Sequence, residues 1–79
     1  MTLYQYEGCG YCRMVRQKMS ELLLTYVNVN VPVDRRSRTE VMAVSGQDTV
    51  PVLVDGEVVL SDEDDILEYL ENTYGTPRV

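Results

Sequence analysis

The longest periodic stretch lies in residues 9–24, where Cys12, Val15, Met19, Leu22 and Leu23 recur at spacings of three and four. That spacing lines them along one side of a helix and leaves Arg13, Arg16, Gln17 and Ser20 for the other. Ahead of it, residues 2–6 alternate and stop at Glu7-Gly8, which predicts a short strand. Behind it, residues 25–33 alternate with a period of two. Val27, Val29, Val31 and Val33 share one face and Tyr26, Asn28 and Asn30 the other, while Pro32 weakens the end of this second strand.

Ser37 and Glu40 have the spacing of a capping box, in which each side chain satisfies a backbone donor at a helix start, and Gly46 is placed to end that short helix in a left-handed conformation. Residues 50–54 and 57–60 are β-branched runs on either side of Asp55-Gly56, a dipeptide that fits the positive dihedrals of a two-residue hairpin turn. Acids crowd positions 62–65, where they complement the dipole of a last helix. Ile66, Leu67, Leu70 and Tyr74 form its buried stripe and Gly75 and Pro77 its end, leaving residues 76–79 as a loose tail.

The order is strand, helix, strand, helix, strand, strand, helix. A strand-helix-strand unit requires a parallel pair and a tight hairpin an antiparallel one. The predicted fold class is therefore α/β, a βαβαββα arrangement with a four-stranded mixed sheet and helices on both faces. Residues 1–79 contain no repeat, low-complexity tract or linker, so a single domain is expected.

A hydrophobic fraction of 44% over 79 residues suits a small folded core. The net charge of −6 disfavours nucleic acid and anionic membranes as partners, since both demand a concentrated basic surface. Eight of the thirteen acids fall between Asp55 and Glu71, a solvated face that would also suit a high-salt cytoplasm. The pattern shows neither a secretion signal nor a run of about 18 apolar residues, so a cytoplasmic monomer is the expectation.

Cys9 and Cys12 are the two cysteines of the chain, and it has no histidine. Cys–His catalysis is thereby excluded, and a structural zinc site would need carboxylates or a second subunit to complete its ligands. An inert pair of core thiols is the plainer alternative. The predicted turn from first strand to first helix favours redox chemistry instead. A thiol at a helix N-terminus feels partial positive charge and unpaired N–H donors, which stabilise thiolate over thiol. Cys9 is accordingly the expected nucleophile, and Cys12, inside the first turn, the resolving thiol. Arg13 and Arg16 add positive potential nearby and Glu7 opposes it. Thr49-Val50-Pro51 reads locally as a strand boundary, because only about 5–6% of X-Pro bonds in folded proteins are cis.

Taken together, Cys9-Gly10-Tyr11-Cys12 after a first strand, Thr49-Val50-Pro51 opening a third, Asp55-Gly56 in a hairpin and an acidic turn before Ile66-Leu67-Glu68-Tyr69-Leu70 resemble a glutaredoxin over nearly the whole chain. The N-terminal domain of glutathione transferases is similar through the same Val-Pro and hairpin segments. The helical second domain of those enzymes is missing here, which leaves a glutaredoxin-sized protein as the expectation.

The resemblance implies a thioredoxin-like fold and thiol–disulfide exchange, with Cys9 attacking and Cys12 resolving. It also implies a cis Pro51, with Val50 offering backbone hydrogen bonds to an extended thiol substrate and Tyr11 and Thr49 completing that side of the site. Asp62, Glu63 and Asp64 would hold the γ-glutamyl end of glutathione, the amides of Glu63 and Asp64 taking its carboxylate. The alternative is that these three residues only cap a helix.

Two positions depart from the family pattern. Tyr6 stands where glutaredoxins often carry a lysine near the glycyl carboxylate, and Gly10 replaces a common proline. The first points to a thiol lacking glycine, such as γ-glutamylcysteine, as an alternative to glutathione. The second allows, as an alternative function, a carrier in which two subunits share a bridging [2Fe–2S] cluster through each Cys9 and bound thiols, although no cofactor is required for exchange. The implied partners are a low-molecular-weight thiol, disulfide-containing proteins and a thioredoxin-type reductase, with a redoxin that donates electrons to ribonucleotide reductase as a further alternative function.

Overall fold

The computed structural model describes residues 1–75; the expected tail at 76–79, with Pro77, lies outside them. The elements are β1 (Thr2–Gln5), α1 (Gly10–Glu21), β2 (Val27–Asn30), α2 (Thr39–Ser45), β3 (Val52–Asp55), β4 (Val58–Leu60) and α3 (Glu63–Tyr74). The strands lie in the order β2-β1-β3-β4. β1 runs parallel to β2, and the other two pairings are antiparallel. The mixed sheet expected from the element order is therefore present.

Alternation along the central strands divides the core between two faces, since successive strand residues point to opposite sides. Leu3 and Leu53, paired across β1 and β3, pack with Val15 and Met19 of α1 and Ile66 and Leu70 of α3. Val52, one residue from Leu53, faces the other way and packs with Val31, just past β2, and with Val41 of α2. Both clusters are buried. Helix α1 is thereby pressed against the sheet, with its N-terminus left at the end of β1.

Several boundaries differ from the sequence reading, each for a local reason. Helix α1 ends at Glu21 rather than residue 24, because Leu23 adopts a left-handed φ of 57°. Leu23 is 90% exposed instead of contributing to the apolar face. β2 keeps only four of the nine expected residues, and Val27 and Val33 are exposed while Val31 is buried. It is an edge strand whose pairing with β1 stops near Pro32, so a period of two there does not guarantee a buried face.

The capping box does not form. Ser37 ends a 3-10 turn (Arg35–Ser37), and Arg38 precedes α2 without a side-chain cap. Gly46 does close α2 in the left-handed conformation, its N–H donating to the Met42 carbonyl at 2.9 Å. In the hairpin, Asp55 still pairs with Val58, so the loop residues are Gly56 and Glu57 rather than Asp55-Gly56. Gly56 alone has a positive φ, 61°, as expected when glycine leads a two-residue loop.

Candidate active site

The end of β1 and the start of α1 deliver Cys9 and Cys12. Cys9 is the N-cap of α1, with extended backbone, and its Sγ accepts the N–H of Cys12 at 3.1 Å. One of the helix's orphan donors is thus aimed at sulfur. The two cysteines form a disulfide with their Cα atoms 5.2 Å apart. Cys12 is completely buried, whereas Cys9 keeps 7% exposure. Of the two, the cysteine that keeps contact with solvent is the one at the helix end.

Cys9 opens into a cleft of about 370 Å³. Tyr6, Gly10 and Tyr11 line it together with Arg35, Arg38, Thr49 and Val50. The Val50-Pro51 peptide is cis, as the resemblance implies, and Pro51 is buried behind Val50. Of the residues singled out in the sequence, Cys9, Tyr11, Thr49 and Val50 thus share one cleft. Asp62, Glu63 and Asp64 do not line it. Asp62 caps α3, accepting the Asp64 N–H at 2.9 Å, so the amide assigned to a γ-glutamyl carboxylate already has an acceptor. The oxygens of these three acids lie within 4.8 Å of one another in an exposed cluster.

The residues do not fit a [2Fe–2S] cluster within one chain. Two thiols are available, one of them fully buried, where such a cluster takes four thiolates. No histidine can substitute.

The arginines of the cleft escaped sequence reasoning. Arg35 pairs with Asp48 at 2.8 Å, and this hydrogen bond holds the Asp48 carboxyl below its ordinary value of 3.8. Arg38 is only 6% exposed, and its guanidinium carbon lies 5.2 Å from the centroid of the Tyr6 ring. The ring standing where a lysine was expected therefore supports a cation that arrives from α2. The available signal was the run of Arg35, Arg36 and Arg38 in an acidic chain. Arg16, expected to add potential at the thiols, instead donates to buried Gln5 and lies 3.8 Å from Glu7.

A Cys-x-x-Cys pair at a helix start, whose Cys9 shares a cleft with Val50 of the cis Val50-Pro51 peptide on a β2-β1-β3-β4 sheet, defines a thioredoxin-like protein. The family model described as "Glutathione S-transferase, N-terminal domain" matches residues 3–78, and the chain belongs to that family. It is 30% identical over 79 residues to glutathione S-transferase Z2 of Arabidopsis thaliana, covering 98% of this chain and 35% of the relative. It is 29% identical over 61 residues to an uncharacterized glutaredoxin-like 8.6 kDa protein in the rubredoxin operon of Clostridium pasteurianum, covering 76% and 81%.

The crystal structure of a glutathione transferase homolog from Drosophila mojavensis, with bound glutathione, superposes with a TM-score of 0.86 at 29% identity. That match covers 94% of this chain and 35% of the other. The chain thus spans about a third of the length of the transferases it resembles. No helix among the described residues is long and apolar enough to cross a membrane.

Proposed function

We propose that this protein is a thiol–disulfide oxidoreductase that reduces protein disulfides or mixed disulfides of a γ-glutamyl thiol through Cys9 and Cys12. The observation that carries this reading is the hydrogen bond from the Cys12 N–H to the Cys9 Sγ at the open end of α1. In the reduced protein the same donor and the helix dipole would stabilise a Cys9 thiolate. That thiolate attacks one sulfur of the substrate disulfide, forming a mixed disulfide and expelling the first substrate thiolate. Cys12, deprotonated as it reacts, then attacks the Cys9 Sγ and expels the second. Two electrons have passed to the substrate, and the Cys9–Cys12 disulfide remains for an external thiol or reductase to reduce.

The cleft also bears on the choice of thiol. Its two arginines supply cationic character that position 6 lacks, which supports glutathione as co-substrate alongside γ-glutamylcysteine. The test is a turnover assay of the purified chain with a protein disulfide, offering glutathione, γ-glutamylcysteine and thioredoxin reductase separately as reductants. Turnover with at least one donor, lost in Cys9→Ser, supports the proposal; equal rates with and without protein refute it.

A second reading, favoured by the family match and the glutathione-bound relative, is glutathione transfer to an electrophile. In that case conjugation would survive Cys12→Ser, because transfer needs no resolving thiol.

A further inference from the structure

Arg38 is a buried charge that the exchange chemistry above does not use. Its Nε donates to the Pro32 carbonyl at 2.8 Å, one terminal nitrogen to the Asp48 carbonyl at 2.8 Å and the other to the Val33 carbonyl at 3.0 Å. Every one of these acceptors is neutral. Arg16, Lys18, Arg35 and Arg36 each lie within 4.0 Å of a carboxylate; among the described residues Arg13, which is exposed, and Arg38, which is buried, do not. Asp48 offers Arg38 its backbone oxygen while its side chain goes to Arg35.

This arrangement separates solvation from neutralisation. Three carbonyl dipoles and the Tyr6 ring replace the water that a guanidinium loses on burial, yet they form no ion pair with it; the Asp48 carboxylate, held by Arg35, offsets its charge only from beyond salt-bridge distance. Because Arg38 lines the same open cleft as Cys9, its charge adds to the potential there. Its clamp has a second effect. It joins residues 32–33, at the end of β2, to the carbonyl immediately before Thr49-Val50-Pro51, whose Thr49 and Val50 line the cleft.

We propose that Arg38 is a positioning residue of the dithiol cleft, whose charge favours the thiolate of reduced Cys9 while its three-carbonyl clamp holds the Thr49-Val50-Pro51 segment. The proposal rests on the dithiol reading and adds to it the source of the electrostatic bias. The proton leaves the Cys9 Sγ for solvent, and no redox change accompanies that step. The other charged or titratable groups around the cleft are Tyr6, Tyr11, the Arg35–Asp48 pair and, at the end of β1, Glu7 with Arg16.

The test uses the reduced full chain in a Cys12→Ser background, so that one thiol titrates. Thiolate absorbance and iodoacetamide alkylation are followed against pH for Arg38, Arg38→Lys and Arg38→Gln. The expected result is a Cys9 titration moved to higher pH in Arg38→Gln, with alkylation at pH 6 slowed several-fold, and rescue by Arg38→Lys even where its thermal stability falls. An unchanged Arg38→Gln profile overturns the proposal, as does a lysine variant that shifts as far as the glutamine one. Should Arg38→Gln fail to fold, Arg38→Met decides, because it keeps an unbranched apolar stem of similar reach without the charge: its Cys9 titration must move to higher pH, and an unmoved or lowered profile overturns the proposal. A parent thiol no more acidic than free cysteine would remove the dithiol reading itself and this inference with it. An acidic parent thiol beside an unchanged Arg38→Gln removes this inference alone.

Discussion

The backbone N–H of Cys12 points at the Sγ of Cys9 across 3.1 Å, so the amide of the one cysteine solvates the sulfur proposed as the nucleophile. That contact belongs to the backbone and survives loss of the Cys12 side chain. Cys12→Ser should therefore retain reaction with low-molecular-weight mixed disulfides, which need one thiol, and lose reduction of protein disulfides, which need two. Cys9→Ser should lose both. Parallel assays with a mixed-disulfide substrate and a protein disulfide check the pair, and equal loss in the two variants would contradict the assigned order.

Asp55 ties the hairpin to the far end of α3. Its Oδ2 accepts the Tyr69 hydroxyl at 2.7 Å and also accepts the Tyr74 hydroxyl. The Tyr74 bond first, then that of Tyr69, holds the Asp55 carboxyl below its ordinary 3.8. The same carboxylate pushes Tyr74 up to about 12 from 10.0. A depressed acid contributes stability above its unfolded pKa, and that contribution fades as pH falls through the lower folded value; a raised phenol contributes below 10.0 and fades as pH climbs toward about 12. Urea midpoints measured across pH should therefore fall in both windows. Tyr74→Phe should flatten the alkaline fall, and a variant as pH-sensitive as the parent there would count against the tether.

Ile66 is fully buried where α3 meets the sheet, among Leu3, Val15, Met19, Leu53 and Leu70. Ile66→Val removes one methyl group and should cost about 0.5–1.5 kcal/mol, against about 2–5 kcal/mol for Ile66→Ala. A core this small supplies roughly 3–5 kcal/mol in total, so the alanine variant should be largely unfolded at 25 °C. Urea denaturation followed by circular dichroism reads both.

Gly56 has open space around the position of a Cβ, so replacing it meets no clash. Its φ of 61° nevertheless lies where a side chain crowds the following carbonyl. Gly56→Ala should destabilise by about 1–2 kcal/mol with no change in thiol chemistry, since the hairpin turn is not part of the dithiol cleft. A matched pair of denaturation and alkylation measurements tests that separation.

Local chemistry made much of this protein readable before any folding. The helical spacing of Val15 and Met19, the β-branched runs flanking Gly56 and the acids ahead of Ile66 are all short-range signals, and each marks an element that exists. Where such signals failed, a neighbour outweighed them. Val27 and Val33 alternate as if facing a core, but β2 lies at an edge. Ser37 and Glu40 have the right spacing for a cap, but the chain spends Ser37 in a 3-10 turn as Arg38 is drawn inward.

The amino-acid order by itself determined the element succession, the mixed sheet and the placing of Cys9 at a helix start, because periodicity and turn chemistry act over a few residues. Tertiary structure decided what faces that sulfur. Tyr6 and Arg38 lie 32 positions apart and Arg38 and Val50 12, and they meet only when the start of α2 and the cis-proline loop close over the end of β1. Burying a guanidinium among carbonyls requires three backbone segments at once, and no local pattern encodes such a convergence.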